Sequence, residues 1–535
     1  MTTSTNHLLN VPNNTHRNWW KDRSLRLNLL HCAGCCLCVF YLGYDQALLA
    51  ALQAIPAWNA YFNTPTGTTL GLIASSLYFP GLFASFFGSW VSMKYGRKPT
   101  VWIGSVLIII GTFVNTFATS TAIFCGGRVL IGAGGAITKV AAPALLNEIA
   151  HPRIRSIVAA SYYGWFFLGS SLSSWLCLAG LYIPNDWSWR MPCMFQLLAP
   201  ILVIAITSTG PESPRFLINQ GRNDQALNVL AKYHANGKVD DPLVQLEYSE
   251  ICAALEFEGE EHNSSWMDLV RTKGNRRRIT MAILMACGTN WTGSGLLGYY
   301  LTPILASVGI KDPKQTTSLN GGLALFNLLS CELAATQADR ISRRVSFFVS
   351  GAGMISSIAI VTGMSATFAA GKQAFGIPTV PFIFIFFFFY DIAWMALPFH
   401  YCTEIMPFHL RTKGLAIFTA VQTFANGFNQ FVNPIAFKAI TWRFYIVYLV
   451  INAAYAVYFF FFLIDSRGMS LESTTLLFDY PRREARQRAE EEMQARVAAR
   501  SEAAMAKADL KTEKSEIDIV DDVAELNKDG NTYKA

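Results

Sequence analysis

The chain has 535 residues, of which 52% are hydrophobic and only 15% charged, against about 25% charged in soluble domains. With a mean hydropathy of +0.29, this composition excludes a disordered chain, argues against a soluble enzyme and points to a polytopic membrane protein. The formal net charge is +7, and for such a chain the placement of that charge carries more information than its total.

A membrane helix needs about 20 mostly apolar residues. Twelve such stretches occur in succession, centred near residues 40, 80, 109, 133, 169, 199, 288, 326, 355, 390, 424 and 453. The first 26 residues are polar and basic, with no secretory signal evident. Cys32, Cys35, Cys36 and Cys38 sit together in the first apolar run and read as small apolar residues of a membrane helix. The expected organisation is a tail at 1–26, six helices at 27–209, a polar segment at 210–276, six helices at 277–465 and a charged tail at 466–535. Residues 482–500 have helix-forming composition, and residues 511–535 read as disordered. The fold class is an all-α membrane protein with twelve transmembrane helices in two six-helix, pseudo-symmetric bundles.

One set of short loops carries Lys94, Arg97 and Lys98, then Arg153 and Arg155, Arg340, Arg343 and Arg344, and Arg411 and Lys413. The opposite set is poor in basic residues. Positive-inside logic therefore predicts that both termini and the 210–276 segment are cytoplasmic. The halves also repeat: Glu148 precedes Arg155 by seven residues after the fourth span, and Glu404 precedes Arg411 by seven after the tenth. Two similar halves imply transport by rocking of two bundles, with the solute near the midplane.

Several motifs stand in a familiar order: Gly43-Tyr44-Asp45, Gly96-Arg97-Lys98, Arg128 with Gly132, Gly134 and Gly135, Glu148 to Arg155, Pro211-Glu212-Ser213-Pro214-Arg215, Tyr299-Tyr300, and Glu404 to Arg411-Thr412-Lys413-Gly414. In this the chain resembles the sugar porters of the major facilitator superfamily over about residues 27–480. Tyr390–Ala393 and Glu404–Ala416 look most like the fungal lactose-permease-like branch.

The resemblance implies secondary active transport, with Asp45 as proton acceptor and Arg128 as its partner. A charge inside the bilayer costs about 2.5–3.5 kcal/mol on insertion scales, which marks both as functional candidates. An adjacent arginine favours the carboxylate and desolvation disfavours it, so movement of the pair would bind and release a proton. Lys139 lies eleven residues after Arg128, three turns along one face; it pairs with a carboxylate in a cavity or snorkels to the cytoplasmic edge. Glu332 and Asp391 also interrupt apolar runs; Asp391 pairs with Lys139, touches substrate or, as the leading reading, makes a structural bond.

The resemblance further implies a cytoplasmic gate of ion pairs drawn from Arg97, Glu148, Arg155, Glu212, Arg215, Asp339, Arg343, Glu404 and Arg411, a bistable element of the kind switching needs. Met93 and Ser342 depart from the family there, standing where an acid and a glycine are usual. The expected substrate contacts are Ser170, Thr289, Asn290, Trp291, Ser294, Phe399, Gln422 and Asn426. Relative to hexose porters the matching positions are smaller, including Gly295, which suggests a larger cavity and a di- or oligosaccharide such as lactose or cellobiose.

The leading reading is thus a proton-coupled sugar importer, with the proton as coupling ion and no cofactor or metal. It would be a monomer in the lipid bilayer of the plasma membrane, with no nucleic-acid partner. The alternatives are a non-transporting sugar sensor, a hexose porter, or a porter for a polyol or quinate-like acid. Nothing in the sequence has the metal spacing, nucleophile elbow or phosphate loop of an enzyme; Gly132-Ala133-Gly134-Gly135 lies inside an apolar run and serves close helix packing.

Overall fold

The computed structural model describes residues 13–16, 18–260, 265–337, 341–395, 397–464 and Phe478. The described residues form helices and no strands. The first half runs α1 (Arg23–Leu52), α2 (Thr68–Ser75 and Phe79–Tyr95), α3 (Arg97–Thr116), α4 (Thr121–Ile149), α5 (Pro152–Gly180) and α6 (Trp187–Phe195 and Leu198–Thr209). The second runs α7 (Lys273–Trp291, Ser294–Tyr299 and Leu301–Ser307), α8 (Pro313–Gln337), α9 (Arg343–Ala369), α10 (Thr379–Ala393 and Leu397–Ile405), α11 (Phe408–Ile440) and α12 (Phe444–Phe462). Each of the twelve expected stretches contains one of these helices. The tail beyond residue 464, Phe478 apart, lies outside the described residues.

The breaks have local causes. Pro80 opens the second part of α2, where its missing N–H costs least. Gly293, with φ of 105°, interrupts α7 in a left-handed conformation that glycine adopts freely.

Eight helical stretches are long and apolar enough to cross a bilayer; one of them, Lys413–Phe462, takes in both α11 and α12. The helices outside that set are α5, α7 and α8. All three line the central cavity. The outer surfaces carry exposed Phe83, Phe86, Phe87 and Trp90 on α2 and Phe460, Phe461 and Phe462 on α12. Such apolar surface is unfavourable in water and suits lipid.

Helices of the first half approach to backbone contact. A Cβ at Gly132 of α4 would run into the carbonyl oxygen of Leu77, and one at Gly43 of α1 into that of Phe166. Apolar lipid offers little drive for helix association, so close packing of this kind must supply it. The four clustered cysteines of α1 are buried here with free thiols.

The polar segment folds into helices Pro214–Asn219, Asn223–His234 and Pro242–Glu260 and packs on the end of the first half that bears the N-terminal segment. His234 sits between two acceptors, Glu247 Oε2 at 2.5 Å and the Ile149 carbonyl at 3.0 Å. Asn28 donates to the same carbonyl at 2.7 Å, and Asn13 donates to the His234 carbonyl at 3.1 Å. His151, fully buried, lies with its ring 5.1 Å from that of His234. Burial pushes the His151 imidazole down to about 2, with His234, Arg153 and Arg155 pushing the same way.

This packing sets two measurable sensitivities. Gly132→Ala should cost about 1–3 kcal/mol by overpacking, read as a lower unfolding midpoint in detergent. Gly126→Ala on the same helix, whose Cβ meets nothing within 4 Å, should leave the midpoint nearly unchanged. The folded value of His151 is depressed below the unfolded one, so its contribution to stability is present above about pH 6.5 and falls as the medium is acidified. Going to pH 5 should remove about 2 kcal/mol; His151→Gln should flatten that loss, as measured by melting midpoints between pH 5 and 8.

Candidate functional site

A cavity of about 340 Å³ lies between the two halves. The first half contributes Asp45, Gln46, Tyr78, Lys139, Tyr163, Phe166, Ser170 and Ser174. The second contributes Thr289, Asn290, Ser294, Tyr299, Asn320, Asn327, Phe387, Tyr390, Asp391, Trp394, Gln422 and Asn426.

Asp45 sits in the middle of α1 and Arg128 in the first third of α4; both side chains are about 2% exposed. Arg128 Nη2 stands 3.7 Å from Asp45 Oδ2. This is within ion-pair range but longer than a charge-assisted hydrogen bond of about 2.7–2.9 Å. Each group has a second anchor. Gln196 of α6 donates to Asp45 Oδ1 at 3.0 Å, and Arg128 Nε donates to the Ile73 carbonyl at 2.9 Å. Asp45 Oδ2 and Arg128 Nη1 have no hydrogen-bond partner among the described residues. Gln196 was missed in the sequence, although a lone amide between Phe195 and Leu197 in an apolar run was a usable signal.

The opposite wall is an amide network. Asn290 Nδ2 donates to Thr289 Oγ1 at 3.0 Å and Gln422 Nε2 donates to the same oxygen at 3.3 Å. Ser294 Oγ and Tyr390 Oη both donate to the Thr289 carbonyl, at 3.1 and 2.7 Å. Asn426 faces the cavity with its carbonyl oxygen unpartnered among the described residues. The structure thus brings Ser170, Thr289, Asn290, Ser294, Gln422 and Asn426 to one cavity, with the Ser170 hydroxyl given to the Gly43 carbonyl at 2.9 Å.

Trp291 and Phe399 are placed elsewhere. Trp291 donates to the Ala425 carbonyl at 3.1 Å and packs on Phe428. Phe399 packs on Phe418 outside the cavity lining, because α10 breaks before Leu397 and the lining aromatic is Trp394, before the break. The vacancy expected at Gly295 is also absent: a Cβ there would meet Asn429 Oδ1. Asn429 donates to the Asn290 carbonyl at 3.2 Å, so α11 returns amide chemistry that α7 lacks. The structural bond expected for Asp391 is not found: both its carboxylate oxygens lack a hydrogen-bond partner among the described residues.

The expected gate residues form pairs inside each half. Arg97 bonds Glu148 through Nε and Nη2, at 3.1 and 3.2 Å, and Arg343 Nη2 bonds Glu404 at 3.1 Å. Glu212 accepts from the backbone N–H groups of Arg97 and Lys98, at 3.1 and 3.2 Å, at the start of α3. Arg155 pairs with Glu247 of the polar segment at 3.3 Å, which separates it from the Arg97–Glu148 pair. Arg215 opens the helix Pro214–Asn219 and Arg411 lies in the first turn of α11. Asp339 lies outside the described residues. Met93 is exposed and Ser342 is the N-cap residue of α9 without a side-chain bond.

At the end remote from the polar segment the halves touch directly. Tyr78 donates to Tyr299 at 3.0 Å. Gln53 donates to the Tyr299 carbonyl at 3.1 Å and Thr302 to the Ala50 carbonyl at 2.9 Å. Lys438 reaches Thr66 at 3.1 Å.

Known proteins share this arrangement. The family described as "Sugar (and other) transporter" matches residues 31–478. An MFS-type transporter, oryC, of Aspergillus oryzae is 28% identical over 443 residues, covering 80% of this chain and 81% of the relative. A high-affinity glucose transporter of Kluyveromyces lactis is 24% identical over 457 residues, covering 82% of each. The xylose transporter XylE of E. coli, solved in an inward-open conformation, superposes with a TM-score of 0.70 at 20% identity, covering 85% of this chain and 99% of that one. The match over residues 31–478 and the twelve-helix arrangement lead to one assignment: the chain belongs to the sugar transporter family of the major facilitator superfamily.

Proposed function

We propose that the protein imports a sugar-like solute together with protons, by alternating access in the plasma membrane. Both termini and the 210–276 segment lie on the cytoplasmic side in this reading, and the proton is the coupling ion with no further cofactor. The observation that carries it is the Asp45–Arg128 pair, buried at the edge of the cavity at 3.7 Å. A pair this loosely joined shifts the affinity of the carboxylate for a proton when the arginine moves. A static strut would gain from the shorter, bidentate geometry open to arginine.

The energetics suffice. One charge crossing 100 mV supplies ~2.3 kcal/mol, and one pH unit ~1.4 kcal/mol. Their sum sustains a several-hundred-fold concentration ratio.

Two observations favour a monosaccharide-sized solute over the lactose- or cellobiose-like substrate. Asn429 fills the space at Gly295, and 340 Å³ is at the small end of the ~300–1,000 Å³ of ligand pockets. The glucose and xylose named for two relatives are consistent with this size. The intact charge pair favours transport over sensing.

In cells lacking sugar carriers, uptake of labelled glucose, xylose, lactose, cellobiose and maltose at pH 5 should be protonophore-sensitive for at least one sugar. Asp45→Asn should reduce its accumulation ratio from hundreds to about one, while exchange of labelled for unlabelled sugar persists. Uphill accumulation by the variant would refute the coupling role.

A further inference from the structure

Lys139 has no part in the proton-coupling pair. It lies eleven residues beyond Arg128 on α4, about 16 Å along the axis at 1.5 Å per residue, on the face formed with Gly132 and Gly135. Its side chain is exposed within the cavity between the two halves. Among the described residues, no carboxylate lies within ion-pairing distance of it. Across the cavity Asp391 of α10 is 2% exposed, and neither of its oxygens has a hydrogen-bond partner among the described residues.

Neutral hydroxyls do not call for a free ammonium. Thr289, Asn290, Gln422 and Asn426 already offer the donors and acceptors that a sugar ring uses. A lysine retained in the membrane interior at a cost of about 2.5–3.5 kcal/mol marks a function for its charge. It lines the cavity rather than the lipid surface, and its natural complement is an anion arriving with the solute.

We propose that the transported solute carries a carboxylate, bound by Lys139, with its hydroxyls on the amide wall and on Asp391. The class is a one-ring sugar acid or polyhydroxylated cyclic acid. This rests on the reading of the chain as a proton-coupled transporter and narrows its substrate. It also changes the charge balance of the cycle. An anion moving with one proton carries no net charge, so its accumulation responds to the pH gradient and is indifferent to membrane potential.

The test uses the full chain in proteoliposomes. Exchange of labelled D-galacturonate, D-gluconate and quinate is measured beside D-glucose and D-xylose, with no proton gradient imposed, so that coupling is not required. At least one acid should exchange; Lys139→Gln should slow that exchange tenfold or more, and Lys139→Arg should retain most of it. With a pH gradient, a valinomycin-imposed potential of about 100 mV, worth some fifty-fold in accumulation for a single moving charge, should leave acid uptake unchanged. Exchange of the neutral sugars without any of the acids would overturn this inference and leave the transporter reading standing. So would acid exchange in a folded Lys139→Gln protein at the wild-type rate. Exchange of none of the five solutes by protein with an intact melting transition would overturn this inference, and the transporter reading with it if lactose, cellobiose and maltose are not exchanged either.

Discussion

The structure turns on holding a charge pair where water is scarce. An aspartate and an arginine buried in a membrane protein are each costly to desolvate, and their mutual attraction repays this only when remaining donors and acceptors are met. Here the supports come from four helices. α1 carries Asp45, α4 carries Arg128, α6 lends the Gln196 amide, and α2 lends the Ile73 carbonyl. That carbonyl is available because α2 breaks just after it. Ser76 also donates to it, at 2.8 Å, so this one carbonyl serves both the hydroxyl and the guanidinium.

Ion pairs occur inside each half, whereas the contacts between the halves at the end remote from the polar segment include none among the described residues. Arg97–Glu148 and Arg343–Glu404 are charge-assisted and tie helices of one half together. Contacts between the halves at the end remote from the polar segment are mostly neutral: Tyr78 to Tyr299, Gln53 to a carbonyl, Thr302 to a carbonyl. A neutral hydrogen bond contributes a net of only about 0.5–1.5 kcal/mol, and a charged one about 1.5–3. Strong bonds within and weak bonds between give two stiff bodies and a seam that can open. Alternating access by rocking asks for this division.

Much of this was legible in the sequence. The twelve spans came from apolar run length, and Asp45 and Arg128 stood out because charge is rare in such runs. What the sequence hid was any arrangement that depends on which helices face each other. Gly295 reads as lost amide chemistry until α11 places Asn429 beside it. Phe399 stands at the family position of an aromatic contact, yet the break in α10 gives the cavity wall to Trp394. The seven-residue spacing of Glu148 and Arg155 suggests one cluster, whereas the polar segment folds back and takes Arg155 with Glu247. Run length is local and survives reading in one dimension; partner choice is tertiary and does not.

α5, α7 and α8, the spans outside the most apolar set, all border the cavity. A helix bordering a polar cavity must offer groups that replace the water a solute leaves behind, since each unmet hydroxyl costs about 1–3 kcal/mol on transfer from water. Thr289, Asn290, Ser294, Asn320 and Asn327 are that replacement. The bilayer demands apolar residues and the solute demands polar ones. On this view the free ammonium of Lys139 belongs to the same account as the amides: it lines the cavity and answers to what the cavity holds.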